Sequence, residues 1–141
     1  MRVVGIDVGA RRIGVAISDA SATLARPLET IAVANVDDAV VRVGARIAEL
    51  AAEDGSVGTI VVGLPRRLDG TATDMTKTAA AFVDALRARV AVPVVTEDER
   101  LTSVEAERRL AVRERSWKKR KETIDAAAAA ILLQDYLDRR R

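Results

Sequence analysis

The stretch RVVGIDVGARRIGVAIS, residues 2–18, decides the fold of this chain. It contains two runs rich in β-branched residues, 2–8 and 12–18, and such runs are typical of strands. Between them lies a short segment in which Gly9 can adopt the positive φ of a tight turn. We therefore predict that the chain begins with a β-hairpin.

Strand and helix patterns alternate over the rest of the chain. Pro27 marks the beginning of a third strand, 28–33. The later predicted elements are a helix from Asp37 or Asp38 to Glu53, a strand over 58–64, a helix over 72–90, a strand over 94–96, a helix from the capping box Thr102–Glu105 to Val112, and a helix over 123–138. This order predicts an α/β fold: a mixed five-stranded sheet with helices on both faces, formed as one domain by residues 1–141.

Composition limits the chemistry that the chain can perform. It has 141 residues, of which 49% are hydrophobic, enough for one packed core. Because Cys and His are absent, disulfides, Cys/His zinc sites and Ser-His-Asp or Cys-His catalysis are excluded. A metal site must use oxygen ligands, which favours Mg²⁺ or Mn²⁺. We see no secretory signal and no apolar stretch of roughly 18 residues, so we expect a soluble, cytoplasmic protein.

Positive charge is concentrated near the end of the chain. The formal net charge is only +2, but the segment Arg108–Lys121 contains eight basic residues and one acidic residue. This density predicts a loop over 113–121, between the last two helices, that binds an anionic polymer; the alternative is a solvated loop that only aids solubility. The candidate nucleic-acid contacts in it are Arg115, Trp117, Lys118, Lys119, Arg120 and Lys121, with Trp117 stacking on an exposed base.

Acidic residues stand at three positions where a site can form. Alternation along the first strand places Asp7 on the face opposite Val4 and Ile6. The cluster 97–100 follows the fifth strand, at the kind of strand end where sites collect in α/β sheets. Asp125 begins an apolar helix stripe, where an unpaired carboxylate is costly. Each position also has an ordinary alternative: Asp7 opens an Asx turn, the cluster 97–100 forms a solvated turn, and Asp125 is stabilised by the helix dipole.

Two further features are candidates for phosphate contacts. The segments Gly63–Pro65 and Asp69–Thr71 bracket a polar loop, which is either a simple turn or a backbone cradle for a phosphate. The basic pairs Arg11-Arg12 and Arg66-Arg67 are either surface charges or groups that reach a phosphate.

Four blocks of this sequence resemble the motifs of the YqgF family. They read GIDVGARRIGVAISD over 5–19, VVGLPRRLDGT over 61–71, DERLTSVEA over 98–106 and IDAAAAAILLQDYL over 124–137. The blocks follow the family's order and spacing and span nearly the whole chain. The Arg66-Arg67 pair and Ser103 depart from the family's pattern but do not touch its acids.

The resemblance implies an RNase H-like fold and a metal-dependent nuclease. By position it assigns Asp7, Glu99 and Asp125 as the catalytic residues and as ligands of Mg²⁺ or Mn²⁺. Such ions activate water and neutralise charge in phosphodiester cleavage. We expect these three carboxylates to converge in one shallow groove within reach of a shared metal.

The substrate that the resemblance implies is structured nucleic acid. We favour pre-16S rRNA, cleaved in 5′-end processing, over a Holliday junction, for which a homodimer would be attractive. Two other classes are open. A nucleotide-binding module like those of the actin and sugar-kinase superfamily needs a second large domain, for which 141 residues leave no room. A non-catalytic adaptor of transcription or ribosome assembly would not need intact acids. We expect no membrane partner.

Overall fold

The computed structural model describes residues 1–99 and 117–140, and the side chains of the last helix from residue 124 onwards. All five strands belong to one mixed sheet of order β3-β2-β1-β4-β5, in which β1–β2 and β2–β3 are antiparallel and β1–β4 and β4–β5 are parallel. The elements are β1 (Arg2–Val8), β2 (Arg12–Ser18), β3 (Ala25–Ala32), α1 (Val36–Ala51), β4 (Val57–Pro65), α2 (Asp74–Arg87), β5 (Val94–Glu99) and α3 (Trp117–Arg139). The predicted hairpin and mixed five-stranded sheet are confirmed.

Helices cover both faces of the sheet, as predicted. On one face the strands bury residues such as Ile6 and Ile13 against Phe82 of α2 and the apolar side of α1. On the other face a smaller cluster joins the sheet to α3. Its buried members are Val3, Ala16 and Val61 from the strands and Ala129, Leu133 and Leu137 from α3. The alternation along β1 therefore places Asp7 on the α3 face, together with Val3.

Glycines line the part of the sheet on which α3 lies. A Cβ atom at Gly5 would lie 2.8 Å from the Cβ of Leu133, and one at Gly63 would lie 3.0 Å from a methyl carbon of Leu132. A Cβ at Gly14 would overlap the backbone oxygen of Asp125. The helix backbone therefore rests directly on the strands, and it brings Asp125 to Gly14, the residue that pairs with Asp7 in the hairpin register.

Three predicted element boundaries were wrong. The strand β3 begins at Ala25, so Pro27 lies inside it; β3 is an edge strand, where proline is tolerated. The cap of α1 is Asn35, which accepts a 2.8 Å hydrogen bond from the N–H of Asp38, and the two acids predicted as caps lie in the first turn. The helix α2 is shorter than predicted because Thr73 caps it at the beginning.

Two charged segments also differ from their predicted structure. The cluster 97–99, expected as a turn after the strand, continues β5, because parallel pairing with β4 extends to Glu99 and Pro65. Residues 117–121, expected in a loop, are helical, since Lys and Arg are good helix formers. The predicted helix 102–112 and the remaining loop residues lie outside the described residues. Within the described ranges, no helix is long and apolar enough to cross a membrane.

The glycine contacts predict that Gly14→Ala destabilises the protein strongly. The added methyl group must push α3 off β2, and such overpacking costs about 1–3 kcal/mol or more. The measurement is the free energy of unfolding in urea. The matched control is Gly44→Ala in the middle of α1, where the new methyl meets only the flexible Arg89 side chain and helix propensity improves by about 0.5–1 kcal/mol. Equal effects of the two substitutions would contradict the close packing of α3.

Candidate active site

Asp7 and Glu99 form a carboxyl pair beneath α3. Asp7 lies at the end of β1, half-buried, and Glu99 ends β5, two strands away. Their side chains are hydrogen bonded to each other. Burial raises the pKa of Asp7, and the hydrogen bond from Glu99 partly opposes that rise. The two acids therefore meet by sharing a proton, which neutralises one of them.

Glu99 holds that proton. It is 7% exposed, and burial, reinforced by the negative charge of Asp7, raises its pKa to about 9. At neutral pH its O–H therefore donates to the Asp7 carboxylate. Its Oε2 atom is buried without a hydrogen-bond partner among the described residues, and this atom occupies space that a side chain at Gly63 would fill. A buried oxygen without a hydrogen bond destabilises the folded protein unless a donor or a cation contacts it.

Asp125 faces the same place from the third turn of α3. Its negative charge contributes to the raised pKa of Asp7. Its Oδ2 atom is also in an ion pair, 2.9 Å from Nε of Arg12 at the beginning of β2. The apolar stripe predicted from the sequence is present, since Ala129 and Leu132 are buried on this side of the helix. The predicted cost of the carboxylate is offset by an arginine that the sequence analysis did not assign to it.

The three predicted acids lie at the same end of the sheet but in two separate arrangements, so the expected convergence on one shared metal is not shown. Asp7 and Glu99 are a proton-sharing pair, and Asp125 is held by Arg12. Within residues 1–99 and 117–140, no three acidic side chains lie close enough to hold one ion together. The buried, unsatisfied Glu99 oxygen and the adjoining Asp7 carboxylate fit one hard divalent cation, because both offer only oxygen ligands. Asp125 can join them only after it leaves Arg12.

The predicted basic residues have different environments. Arg11 is exposed beside the Gly9 turn, and Arg67 is exposed after β4. Arg66 is paired with Asp98 at 3.1 Å, and its backbone N–H donates to the carbonyl of Glu99. This places it at the same end of the sheet as the acids. Arg115 lies outside the described residues, and Trp117, Lys118, Lys119, Arg120 and Lys121 are in the helical beginning of α3.

The loop after β4 is a closed turn rather than a phosphate cradle. The N–H of Arg67 donates to the carbonyl of Thr71, and the N–H of Gly70 donates back to the carbonyl of Arg67. The N–H of Thr71 is bound by the Asp69 carboxylate at 2.9 Å. Because these three amides donate within the loop, they do not point at a phosphate, which favours the simple turn over the phosphate cradle.

Sequence reasoning missed the residues that position the acids. Arg12 and Gly14 are two apart on β2 and so project to the same face, and this spacing was a usable signal. Gly63 lies just before the predicted loop. Because it has no side chain, it leaves room for the Glu99 carboxyl group, and this role could not be predicted without knowing that β5 pairs with β4.

Comparison with known proteins identifies the class of protein. A model of the family described as RuvX, Holliday junction resolvase, matches residues 1–139. Proteins named "Putative pre-16S rRNA nuclease" are similar over their full length: one from Chloroflexus aggregans is 49% identical over 139 residues (99% of this chain, 94% of the relative), and one from Geobacillus thermodenitrificans is 40% identical over 141 residues (100% of both).

Two solved structures share the fold. Thermus thermophilus RuvC in complex with a Holliday junction substrate has a TM-score of 0.55 at 20% identity, covering 99% of this chain and 95% of that one. The fowlpox virus Holliday junction resolvase has a TM-score of 0.56 at 13% identity, covering all of both chains.

The fold is therefore RNase H-like, and the protein is of the nuclease class. The chain belongs to the RuvX family, the same family whose four motif blocks its sequence resembles.

The pKa of Glu99 predicts how stability depends on pH when metal is chelated. The native state holds the proton up to about pH 9, whereas the ordinary value is 4.5. Glu99 therefore makes its full contribution to the free energy of unfolding below pH 4.5. This contribution decreases as the pH rises towards 9, by at most about 1.4 kcal/mol per pH unit. We expect the free energy of unfolding, measured in EDTA, to fall over this window.

Glu99→Gln should flatten this pH dependence, because the amide stays neutral and can still donate to Asp7. The matched control is Glu49→Gln on the exposed side of α1, which should leave the slope as it is in the wild type. A slope in EDTA that is identical in wild type and Glu99→Gln would refute the buried, protonated state.

Proposed function

We propose that this protein is a divalent-metal-dependent nuclease that hydrolyses phosphodiester bonds of structured nucleic acid, with Asp7, Glu99 and Asp125 as its catalytic residues and metal ligands. The observation that supports this best is the buried Asp7–Glu99 pair with its unsatisfied Glu99 oxygen. Stabilising the fold does not require two buried acids in contact, and such costly groups collect at functional sites. The enzyme is formed as a single domain by residues 1–141 and acts in the cytoplasm.

Glu99, Asp7 and Arg11 have distinct tasks in this mechanism. Mg²⁺ or Mn²⁺, when bound, polarises the phosphate, offsets the negative charge that develops on it and makes the attacking water more acidic. Glu99 must first release its proton, so its pKa of about 9 makes ligand formation compete with protonation. Asp7 is already ionised beside it and provides the first carboxylate. Arg11, exposed at the rim, binds a neighbouring phosphate and orients the strand.

We propose 5′-end processing of pre-16S rRNA as the reaction. The names of full-length relatives at 40–49% identity support this substrate. The second candidate is resolution of Holliday junctions in DNA, supported by the description of the family whose model matches this chain. In that case two symmetric cuts require two active sites, and the protein would act as a homodimer.

The decisive experiment compares labelled substrates. Purified protein is incubated with a precursor 16S rRNA fragment, a four-way DNA junction and a plain duplex, with Mg²⁺ or Mn²⁺. We expect metal-dependent cleavage of the rRNA fragment near the mature 5′ end. Preferential cleavage of the junction would favour the second candidate, and binding without cleavage of any substrate would favour the adaptor.

Asp7→Asn tests the catalytic assignment within this assay. We expect it to abolish cleavage while leaving the fold and much of the nucleic-acid affinity intact, because an amide oxygen is a poorer metal ligand and the volume barely changes. Asp84→Asn on α2, on the other face of the sheet, is the matched control and should keep full turnover. Wild-type turnover in Asp7→Asn would exclude Asp7 from catalysis.

The basic beginning of α3 gives a separate prediction about binding. We expect Lys118, Lys119, Arg120 and Lys121, replaced together by Gln, to weaken nucleic-acid binding, with each lost phosphate contact reducing the salt slope of log affinity by about 0.7–0.9. Trp117→Ala should weaken junction or single-stranded substrates more than duplex, since only they offer unstacked bases, by roughly 1–3 kcal/mol.

The control for this prediction is Lys77→Gln, which removes an exposed charge from α2 on the opposite face. It should leave the salt slope unchanged, and circular dichroism should show helix content preserved in all variants. If both affinity and salt slope survive the fourfold substitution, the phosphate contacts lie elsewhere, along Arg11, Arg12, Arg66 and Arg67.

A further inference from the structure

We infer that Arg12 is a positioning residue that couples metal binding to substrate binding: its guanidinium holds the Asp125 carboxylate until a substrate phosphate draws it away. The inference rests on the proposed function, because it assumes that Asp125 becomes a metal ligand. It goes further by giving Arg12 two alternating partners.

The Arg12–Asp125 ion pair is direct and well shielded. Nε of Arg12 lies 2.9 Å from Oδ2 of Asp125, and the two side chains are only 34% and 24% exposed. The Oδ2 atom itself is buried. Exposed surface pairs contribute little, but a pair in these surroundings is less screened by water and salt. Arg12 therefore supplies positive charge close to the Asp125 carboxylate.

A cation and a guanidinium compete for the same carboxylate. The backbone of Asp125 is fixed against Gly14, so its carboxylate can turn from Arg12 towards Asp7 and Glu99 only by rotation of its short side chain. Arg12 is the more mobile member, since its long side chain can change rotamer without moving β2. Release of Asp125 is therefore favoured when Arg12 binds another anion.

The structure provides a place for that anion beside the ion pair. A cavity of about 370 Å³ is lined by Gly9, Ala10, Arg11, Arg12 and Asp125. Arg11 comes from the hairpin turn and Arg12 from the beginning of β2, and Asp125 is the one acid among the described lining residues. A phosphate entering the cavity meets the fork of Arg12, which suits bidentate binding of phosphate. Once Arg12 binds the phosphate, its hold on Asp125 weakens, and the carboxylate is available to the metal.

The consequence is positive coupling between the two ligands. Nucleic acid should raise the affinity for metal, and metal should raise the affinity for nucleic acid by the same factor, because coupling free energies are reciprocal. The acids are thus assembled for cleavage when a phosphate is in place.

Calorimetric titration of Mn²⁺ into the protein without nucleic acid tests the competition. Arg12→Gln should bind Mn²⁺ about five- to tenfold more tightly than wild type, within the range of typical coupling factors. Arg11→Gln is the matched control: it removes the same charge one residue away, from an exposed position, and should change Mn²⁺ affinity little. Asp7→Asn, which should abolish the heat of binding, identifies the signal as that of this site.

The coupling itself is measured with a nuclease-resistant 2′-O-methyl phosphorothioate RNA hairpin. By fluorescence anisotropy, Mn²⁺ should tighten hairpin binding in wild type and in Arg11→Gln, though the latter binds more weakly throughout. In Arg12→Gln this dependence on Mn²⁺ should be reduced about five- to tenfold, leaving the part that comes from direct contact between the metal and the phosphate. If Arg12→Gln does not fold, Arg12→Lys replaces it, because a point charge holds a carboxylate less firmly than a planar fork and should still tighten Mn²⁺ binding.

The outcomes separate the two proposals. If wild type binds no Mn²⁺, the proposed metal-dependent function fails and the inference falls with it. If wild type binds Mn²⁺ and the Arg12 variants bind it no more tightly than Arg11→Gln, the role of Arg12 is overturned while the nuclease proposal stands.

Discussion

The direct contact between the backbone of α3 and the sheet is the constraint on which the rest of this structure depends. Gly5, Gly14 and Gly63 belong to three different strands, and each lies where a Cβ atom would collide with α3 or with Glu99. Because no side chain separates helix and sheet there, the strand ends, the helix and their acidic side chains are brought together. An added methyl group at such a contact must displace the helix, because protein interiors are close-packed and transmit the strain.

The close contact between α3 and the sheet also determines the electrostatics of the acids. Water is kept from Glu99 and reaches Asp7 and Asp125 only in part, and each acid is stabilised in another way. Glu99 keeps a proton that it shares with Asp7, and Asp125 is held by Arg12. Both arrangements reduce negative charge without a metal. A divalent cation must therefore displace a proton and a guanidinium to bind all three, which makes its apparent affinity depend on pH and on whatever else binds arginine.

Local patterns predicted the parts of the fold that depend on local chemistry. Alternating β-branched residues and Gly9 indicated the hairpin, and the face of Asp7 followed from the alternation along β1. The wrong or missing predictions concern residues whose structure depends on segments that are distant in the sequence. Acidic residues seldom favour a strand, and Glu99 is in one because β4 pairs with it. The Arg12–Asp125 contact depends on the path of α3 across Gly14, which no local pattern contains.

The proposed catalytic site and the choice of substrate depend on different chemical groups. In the proposal, Asp7, Glu99 and Asp125, with the arginines beside them, act on phosphate groups, which RNA and DNA share. Contacts to phosphate position a strand but carry no information about its sequence or sugar. RNA is distinguished through its 2′-hydroxyls and its shape, and a junction through its branch geometry. If these acids cleave phosphodiester bonds, selection between RNA and a DNA junction must therefore come from other groups, which contact the 2′-hydroxyls or follow the branch geometry.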